Sequence, residues 1–504
     1  MEIAKNYVAE IVNAVPRLPE LAFTEPVNWT IQAGEQWAVI GPNGAGKSLL
    51  IDLLQRKFAL KAGEVNFAAN GRVSDFVRCI TFKDIYSLAD CQNTYYQQRW
   101  HATENDEVPR AAELLGVPNE ELGIRNEELS DQSSLLTPHS SLIDLFGVRE
   151  LLPKKVIYLS SGELRKFLIV RALLKHPRLL ILDNPFIGLD APSRELLVEM
   201  LQRMTQLHGV QVILLLSNPQ DIPTMVNRVL PVVDRTLLPS MDRADFLADK
   251  ALIHQLFPTE GLIDEQPMEI PALPVDPEKQ PATHTVTLRM EKVKVHYGSR
   301  TILKDIDWEI KNGEKWALFG PNGSGKSTLL SLVYADNPQS YANTLYLFDK
   351  KRGTGESIWD IKKRIGYVSP EMHLYYRQNV SALQIVGSGF FDSIGLYRTC
   401  SAEQEELALA WMQLFGIDHL RDRMFQTLSS GEQRLVLLAR AFVKDPDLII
   451  LDEPLHGLDV SHKKQAAAII ERFCERPGKT LIYVTHYPHE LPACVDHHFE
   501  LVKH

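Results

Sequence analysis

Two octapeptides, GPNGAGKS at residues 41–48 and GPNGSGKS at residues 320–327, fit the pattern G-x-x-x-x-G-K-[ST]. Glycines at this spacing let successive backbone N–H groups close around phosphates, and a following helix start adds partial positive charge. The cradle of the first copy is Gly41, Asn43, Gly44, Gly46, Lys47 and Ser48; that of the second is Gly320, Asn322, Gly323, Gly325, Lys326, Ser327 and Thr328. Lys47 and Lys326 would reach the β and γ phosphates, while Ser48 and Ser327 would hold Mg²⁺. A chance glycine turn accounts for one such loop, not for two in the same context. Two further stretches, LLILDNPFIGLD at 179–190 and LIILDEPLHGLD at 448–459, each deliver an acid, Asp183 or Asp452, to the end of an apolar run. An acid at the carboxyl end of a strand can hold the Mg²⁺ hydration shell.

The elements that position these residues repeat in order. Each phosphate loop follows an approach strand, GEQWAVIGPNG or GEKWALFGPNG, and precedes a helix-forming run, SLLIDLLQRK or STLLSLVYAD. LLIL and LIIL are continuous apolar runs, as expected of central strands in a parallel sheet covered on both faces. LSSGE recurs at 159–163 and 428–432, and VILLLSN ending at Asn218 parallels LIYVTH ending at His486. The chain therefore reads as a tandem duplication of an α/β module. Domain 1 is expected at 1–235 and domain 2 at 287–504. The intervening region 236–286 contains Pro267, Pro271, Pro274, Pro277 and Pro281, a composition that favours an extended, semi-rigid polyproline II spacer.

Composition limits what such a duplication does. The 504 residues allow two cores, with 45% hydrophobic and 23% charged residues as in ordinary globular protein. No run approaches the ~20 apolar residues of a membrane-spanning helix, and the amino terminus lacks a signal-peptide pattern, so a cytoplasmic location is expected. The net charge of −10 argues against a chain-wide nucleic-acid surface. Five cysteines form no C-x-x-C pair, and Cys494, His497 and His498 lack a second ligand pair at zinc spacing, so this end reads as polar surface.

With phosphate loop, LSSGE, acid strand, GLD loop and switch position in order, the sequence resembles two ATP-binding-cassette ATPase modules, a likeness that spans nearly the whole chain outside the linker. It implies two P-loop NTPase domains, each with a helical signature subdomain, and ATP with Mg²⁺ as cofactors. In this family two cassettes close head to tail, so the signature residues Ser160, Gly162, Ser429 and Gly431 would face ATP held by the opposite phosphate loop. LSSGE by itself reads as a helix cap. The resemblance further assigns Glu453 as general base for the attacking water and His486 as the γ-phosphate switch. Asp459 would communicate between sites, and Tyr297 would stack on adenine, with Phe23 its counterpart in the first module.

The first module departs from the pattern. Asn184 replaces the base, and loss of a general base typically costs about 10²- to 10⁴-fold in rate. Asn218 replaces the switch histidine. Lys47, Ser48 and Asp183 remain, so ATP binding with slow turnover is expected there and hydrolysis at the second module. The family's glutamine after the third strand is also missing. It would fall near Pro370, with Glu371 as substitute, and near Lys83 or Asp84 in the first copy.

ESIWDIKKRIGYVSPEMHLYYR and GFFDSIGLYR resemble tandem cassettes associated with molybdate uptake, also described as photorepair-type. This implies an ATPase that energises a separate membrane permease, attached peripherally at the inner membrane face. The chain ends soon after His486, so no oxyanion-binding domain is expected. A soluble mechanochemical ATPase, ribosome- or repair-associated, is the alternative; such proteins carry a long charged helical linker instead of a proline-rich one. Tandem sugar-import ATPases share the length, but this sequence lacks their specific run and its weaker module is the first.

Overall fold

Continuous apolar runs leave no side for solvent, and WAVI, LLILD and QVILLL accordingly become adjacent inner strands of one sheet. The computed structural model describes residues 7–68, 71–81, 109–116, 138–156, 159, 161–187, 189, 191–258, 269–271, 284–297, 300–370, 372, 376, 380–393 and 398–503. They divide into two units, the first ending at Pro258 and the second continuing to the carboxyl terminus.

In the first unit the strands are β1 (Tyr7–Pro16), β2 (Val27–Gln32), β3 (Trp37–Ile40), β4 (Leu60–Phe67), β5 (Val77–Ile80), β6 (Leu179–Asp183), β7 (Gln211–Leu216), β8 (Arg228–Val233), β9 (Thr236–Leu237) and β10 (Met241–Asp242). An antiparallel layer, β2-β1-β4, accompanies a sheet in the order β10-β8-β3-β7-β6-β5, whose inner pairs are parallel. The second unit has β11 (Val286–Tyr297), β12 (Arg300–Lys311), β13 (Lys315–Phe319), β14 (Thr344–Leu347), β15 (Lys350–Lys351), β16 (Ile365–Val368), β17 (Leu448–Asp452), β18 (Thr480–Val484) and β19 (His497–Glu500). Its antiparallel layer is β12-β11-β14-β15, and its parallel sheet is β16-β17-β18-β13-β19. Both are doubly wound P-loop sheets. Register repeats as well: Asp183 stands opposite Leu215, and Asp452 opposite Val484.

The repeated GE-x-W approach has a physical basis. Trp37 Nε1 donates to Glu35 Oε2 at 3.0 Å and Trp316 Nε1 to Glu314 Oε2 at 2.9 Å. The same carboxylates accept from the backbone N–H of Gln32 and Lys311. Each glutamate thus staples the turn ahead of the phosphate loop while its tryptophan packs edge-on against Trp29 or Trp308 in the core.

A helical layer of the second unit contains Ala402–Leu414 and the signature helix Ser430–Phe442, joined by stacking of Trp411 on Phe442 at 5.3 Å. Beneath it lies a buried ion pair between Lys444 and Asp392. Burial pushes the Lys444 ammonium down to about 8, against the opposing pull of Asp392.

The expected linker start at 236 requires correction. Thr236–Leu237 and Met241–Asp242 pair with β8, and the helices Arg243–Ala248 and Lys250–Leu256 bury Phe246, Leu256 and Phe257. Apolar residues at helical spacing anchor this stretch to the first unit, whereas the five prolines at 267–281 lie outside or at the margin of the described residues. Among the described residues, no helix is long and apolar enough to cross a membrane.

Candidate functional site

In each parallel sheet the phosphate-loop strand, the switch strand and the acid strand are neighbours: β3-β7-β6 and β13-β18-β17. Their loops therefore gather at one carboxyl edge, where doubly wound sheets bind ligands. Gly46 and Gly325 cap the helices Lys47–Leu54 and Lys326–Val333 with φ of 104° and 97°, a left-handed conformation that glycine adopts without strain. Behind the first loop a Cβ on Gly41 would meet the Val232 carbonyl oxygen at 1.9 Å, so only hydrogen fits there.

The lysines are held by their own loops. Lys47 Nζ donates to the carbonyls of Gly41 and Pro42, both at 2.7 Å, and Lys326 Nζ to Gly320 at 2.7 Å and Pro321 at 3.2 Å. Both ammonium-bearing side chains are buried at the helix start, with Ser48 and Ser327 next in sequence. Ser324 Oγ is buried beside Gly320 with no hydrogen-bond partner among the described residues. Ammonium groups, helix-start amides, a serine hydroxyl and a strand-end carboxylate, Asp183 or Asp452, form a donor set that fits a triphosphate with Mg²⁺. Mg²⁺ takes one or two carboxylates plus phosphates and water, so it does not need a protein cage. Among the described residues, no group of three His, Cys, Asp or Glu is arranged to hold a metal ion.

The acid turns differ between copies in side chain, not in backbone. Glu453 N–H donates to the Val484 carbonyl at 2.9 Å, and Asn184 N–H to the Leu215 carbonyl at 3.0 Å. Glu453 is buried and both its carboxylate oxygens are engaged: Oε1 lies 3.2 Å from His486 Nε2 and Oε2 lies 2.8 Å from His456 Nδ1. Burial pushes this carboxyl up, but charge and hydrogen bonding from His456 and His486 outweigh it and hold Glu453 well below the usual carboxylate range. In the first module Asn184 Nδ2 turns to Asp183 Oδ1 at 3.1 Å, and Asn218 Oδ1 accepts from Gln220 N–H at 3.0 Å as a local cap. Neither asparagine copies the Glu453–His486 pair.

His456 was not a candidate from sequence. Superposing LDNPFIGLD on LDEPLHGLD sets it against Ile187, and that mismatch is the signal that identifies it.

Ser429 caps the signature helix: its Oγ accepts from Glu432 N–H at 3.3 Å while Glu432 Oε2 accepts from Ser429 N–H at 2.7 Å. Gly431 sits in the first turn, and Gly162 occupies the matching helix Ser161–Leu173; Ser160 lies outside the described residues. Asp459 is fully buried and caps Val460–Cys474, accepting from His462 N–H at 2.9 Å. At the missing-glutamine position, Pro370 follows Ser369, whose carbonyl accepts from Arg434 of the signature helix at 3.0 Å. Arg434 thus ties sheet edge to signature helix; Glu371, Lys83 and Asp84 lie outside the described residues.

Tyr297 is half-buried, and its phenol oxygen accepts from Asn337 Nδ2 at 3.0 Å, just beyond the phosphate-loop helix. Phe23 is not its positional counterpart. A Cβ on Gly46 would lie 3.7 Å from Phe23, whereas one on Gly325 would lie 3.1 Å from Ile302, so Phe23 matches Ile302.

Comparison with known proteins agrees with this geometry. The family model described as ABC transporter matches residues 24–187 and 303–456. The chain is 36% identical over 503 residues to the ABC transporter ATP-binding protein ModF of Escherichia coli strain K12, covering 98% of this chain and 96% of that protein. It is 28% identical to an uncharacterized ABC transporter ATP-binding protein of Schizosaccharomyces pombe, covering 93% of each. Among solved structures, the complex of archaeal ribosome recycling factor aABCE1 with stalk protein aP1 matches at TM-score 0.52 and 17% identity, covering 97% of this chain and 87% of that one, a likeness of fold alone.

Proposed function

Because the chain belongs to the ABC transporter ATP-binding family, we propose that it binds ATP with Mg²⁺ in both modules and hydrolyses it in the second. In this reading Glu453 is the general base, His486 contacts the γ-phosphate, Lys326 neutralises phosphate charge, and Ser327 and Asp452 hold Mg²⁺. Lys47, Ser48 and Asp183 hold ATP in the first module, where turnover is slow. Ser160 and Ser429 are the signature hydroxyls for the γ-phosphate. The reading is carried by one observation: the Glu453–His486 pair at adjoining strand ends is replaced in the first module by Asn184 and Asn218. Phosphate release from purified protein tests it. Glu453→Gln is expected to abolish nearly all hydrolysis and Asn184→Gln to leave most of it; equal losses overturn the assignment.

We further propose that turnover energises a separate membrane permease and that the cargo is molybdate. Similarity to ModF over nearly the full length supports the first part; the second extends the sequence resemblance to molybdate-associated cassettes. Capture of proteins from membranes by ATP-bound Glu453→Gln is the test, with a molybdate permease the expected partner. Recovery with ribosomes, or with no membrane protein, overturns the transport reading and favours a mechanochemical ATPase.

A further inference from the structure

Glu453 is gripped from two sides, and only one grip belongs to the switch position. His486 approaches Oε1 from the end of β18, while His456, three residues after Glu453 in its own turn, approaches Oε2 more closely, at 2.8 Å against 3.2 Å. An ionised carboxylate is acceptor-only, so His456 Nδ1 carries the hydrogen and donates it. The turn that brings them together is closed by His456 N–H donating to the Glu453 carbonyl at 3.2 Å. The same imidazole lies edge-on to the Tyr487 ring at 5.5 Å, so it also touches the loop carrying His486.

The fold itself does not call for an imidazole here. In the first module Ile187 holds the equivalent place, its N–H donates to the Asn184 carbonyl at 3.3 Å, and the turn forms with nearly the same φ, 46° at Asn184 against 49° at Glu453. Histidine thus occurs in the copy with a carboxylate to hold, and isoleucine in the copy without one. We infer that His456 is a positioning residue for ATP hydrolysis: its Nδ1–H fixes the Glu453 carboxylate on Oε2, leaving Oε1 to the side of His486 where the attacking water is expected. This rests on Glu453 being the general base.

The test uses the full chain and steady-state phosphate release, with His456→Ile, His456→Asn and each combined with Glu453→Gln. Asparagine places an amide N–H near the position of Nδ1, whereas isoleucine is the residue the first module folds with. A misplaced reacting group typically costs about 10- to 100-fold, so His456→Ile is expected to lose about that in kcat with KM for ATP unchanged. His456→Asn is expected to recover kcat to within about threefold of the parent, on the same geometric ground. In the Glu453→Gln background His456→Ile is expected to change nothing further. His456→Ile at parental kcat beside an inactive Glu453→Gln overturns the inference and leaves the base assignment standing. Equal losses in the isoleucine and asparagine variants, or a further loss in the Glu453→Gln background, also overturn it. An active Glu453→Gln overturns the base assignment instead.

Discussion

Asn184 and Glu453 occupy the same left-handed turn, at φ of 46° and 49°, in two sheets of identical register. Asparagine tolerates this conformation, whereas for glutamate it is strained. Asn184→Glu is therefore expected to lower the stability of the first unit by about 1 kcal/mol. It is not expected to add measurable hydrolysis, because Ile187 and Asn218 supply no imidazole. Chemical denaturation and phosphate release measured on one preparation check both outcomes.

Restoring all three side chains is a stronger intervention. In a Glu453→Gln background, Asn184→Glu with Ile187→His and Asn218→His is expected to raise ATP hydrolysis at least about tenfold, the lower end of what a general base supplies. No increase, in protein that still binds ATP, refutes the claim that these three positions separate the modules.

Lys47 and Lys326 report on binding. Replacing Lys47 by alanine removes the donor to Gly41 and Pro42 and the cation for phosphate. Titration with a fluorescent ATP analogue is expected to fall from two sites to one, with most hydrolysis remaining. Lys326→Ala is expected to remove the other site together with hydrolysis.

Ser429 combines a cap with a phosphate donor, and two substitutions part them. Ser429→Ala is expected to lose about 1 kcal/mol of stability with the cap. Ser429→Asp keeps a capping oxygen but places negative charge where the γ-phosphate is expected. Its thermal midpoint should stay near that of the parent while ATP-analogue affinity at the first-module site, the one Ser429 faces on this reading, falls at least as far as in the alanine variant and most hydrolysis remains.

Lys444 gives a pH test. Its folded value of about 8 lies below the ordinary lysine value of 10.5, so between these limits the unfolded chain binds a proton that the folded one does not. Stability from this group is fully present above pH 10.5 and is lost as pH falls through about 8. Lys444→Met is expected to lack this rise in melting temperature between pH 8 and 10.5; parallel curves for the two proteins refute it.

Much of this architecture was legible in the residues. Phosphate loops, apolar strands and strand-end acids carry their geometry in type and spacing, and the strand-to-helix context of Lys47 and Lys326 appears as expected. The pairing of Glu453 with His456 was not legible, because a histidine three residues after an acid has no meaning until a turn folds one over the other. The link from Arg434 to the Ser369 carbonyl joins residues far apart in sequence through a backbone acceptor that any residue type offers. The linker start falls too early because the proline-rich run at 267–281 colours the reading of the whole of 236–286, while Phe246 and Phe257 signal helix packing only by their periodicity.

Glu35 and Glu314 staple equivalent turns into equivalent strands, whatever the fate of the nucleotide beyond them. On the proposed reading, each half is a clockwork of the same gauge, one wound to dwell and the other to tick. Their relative tempo is then open to adjustment at a few side chains, with neither movement rebuilt.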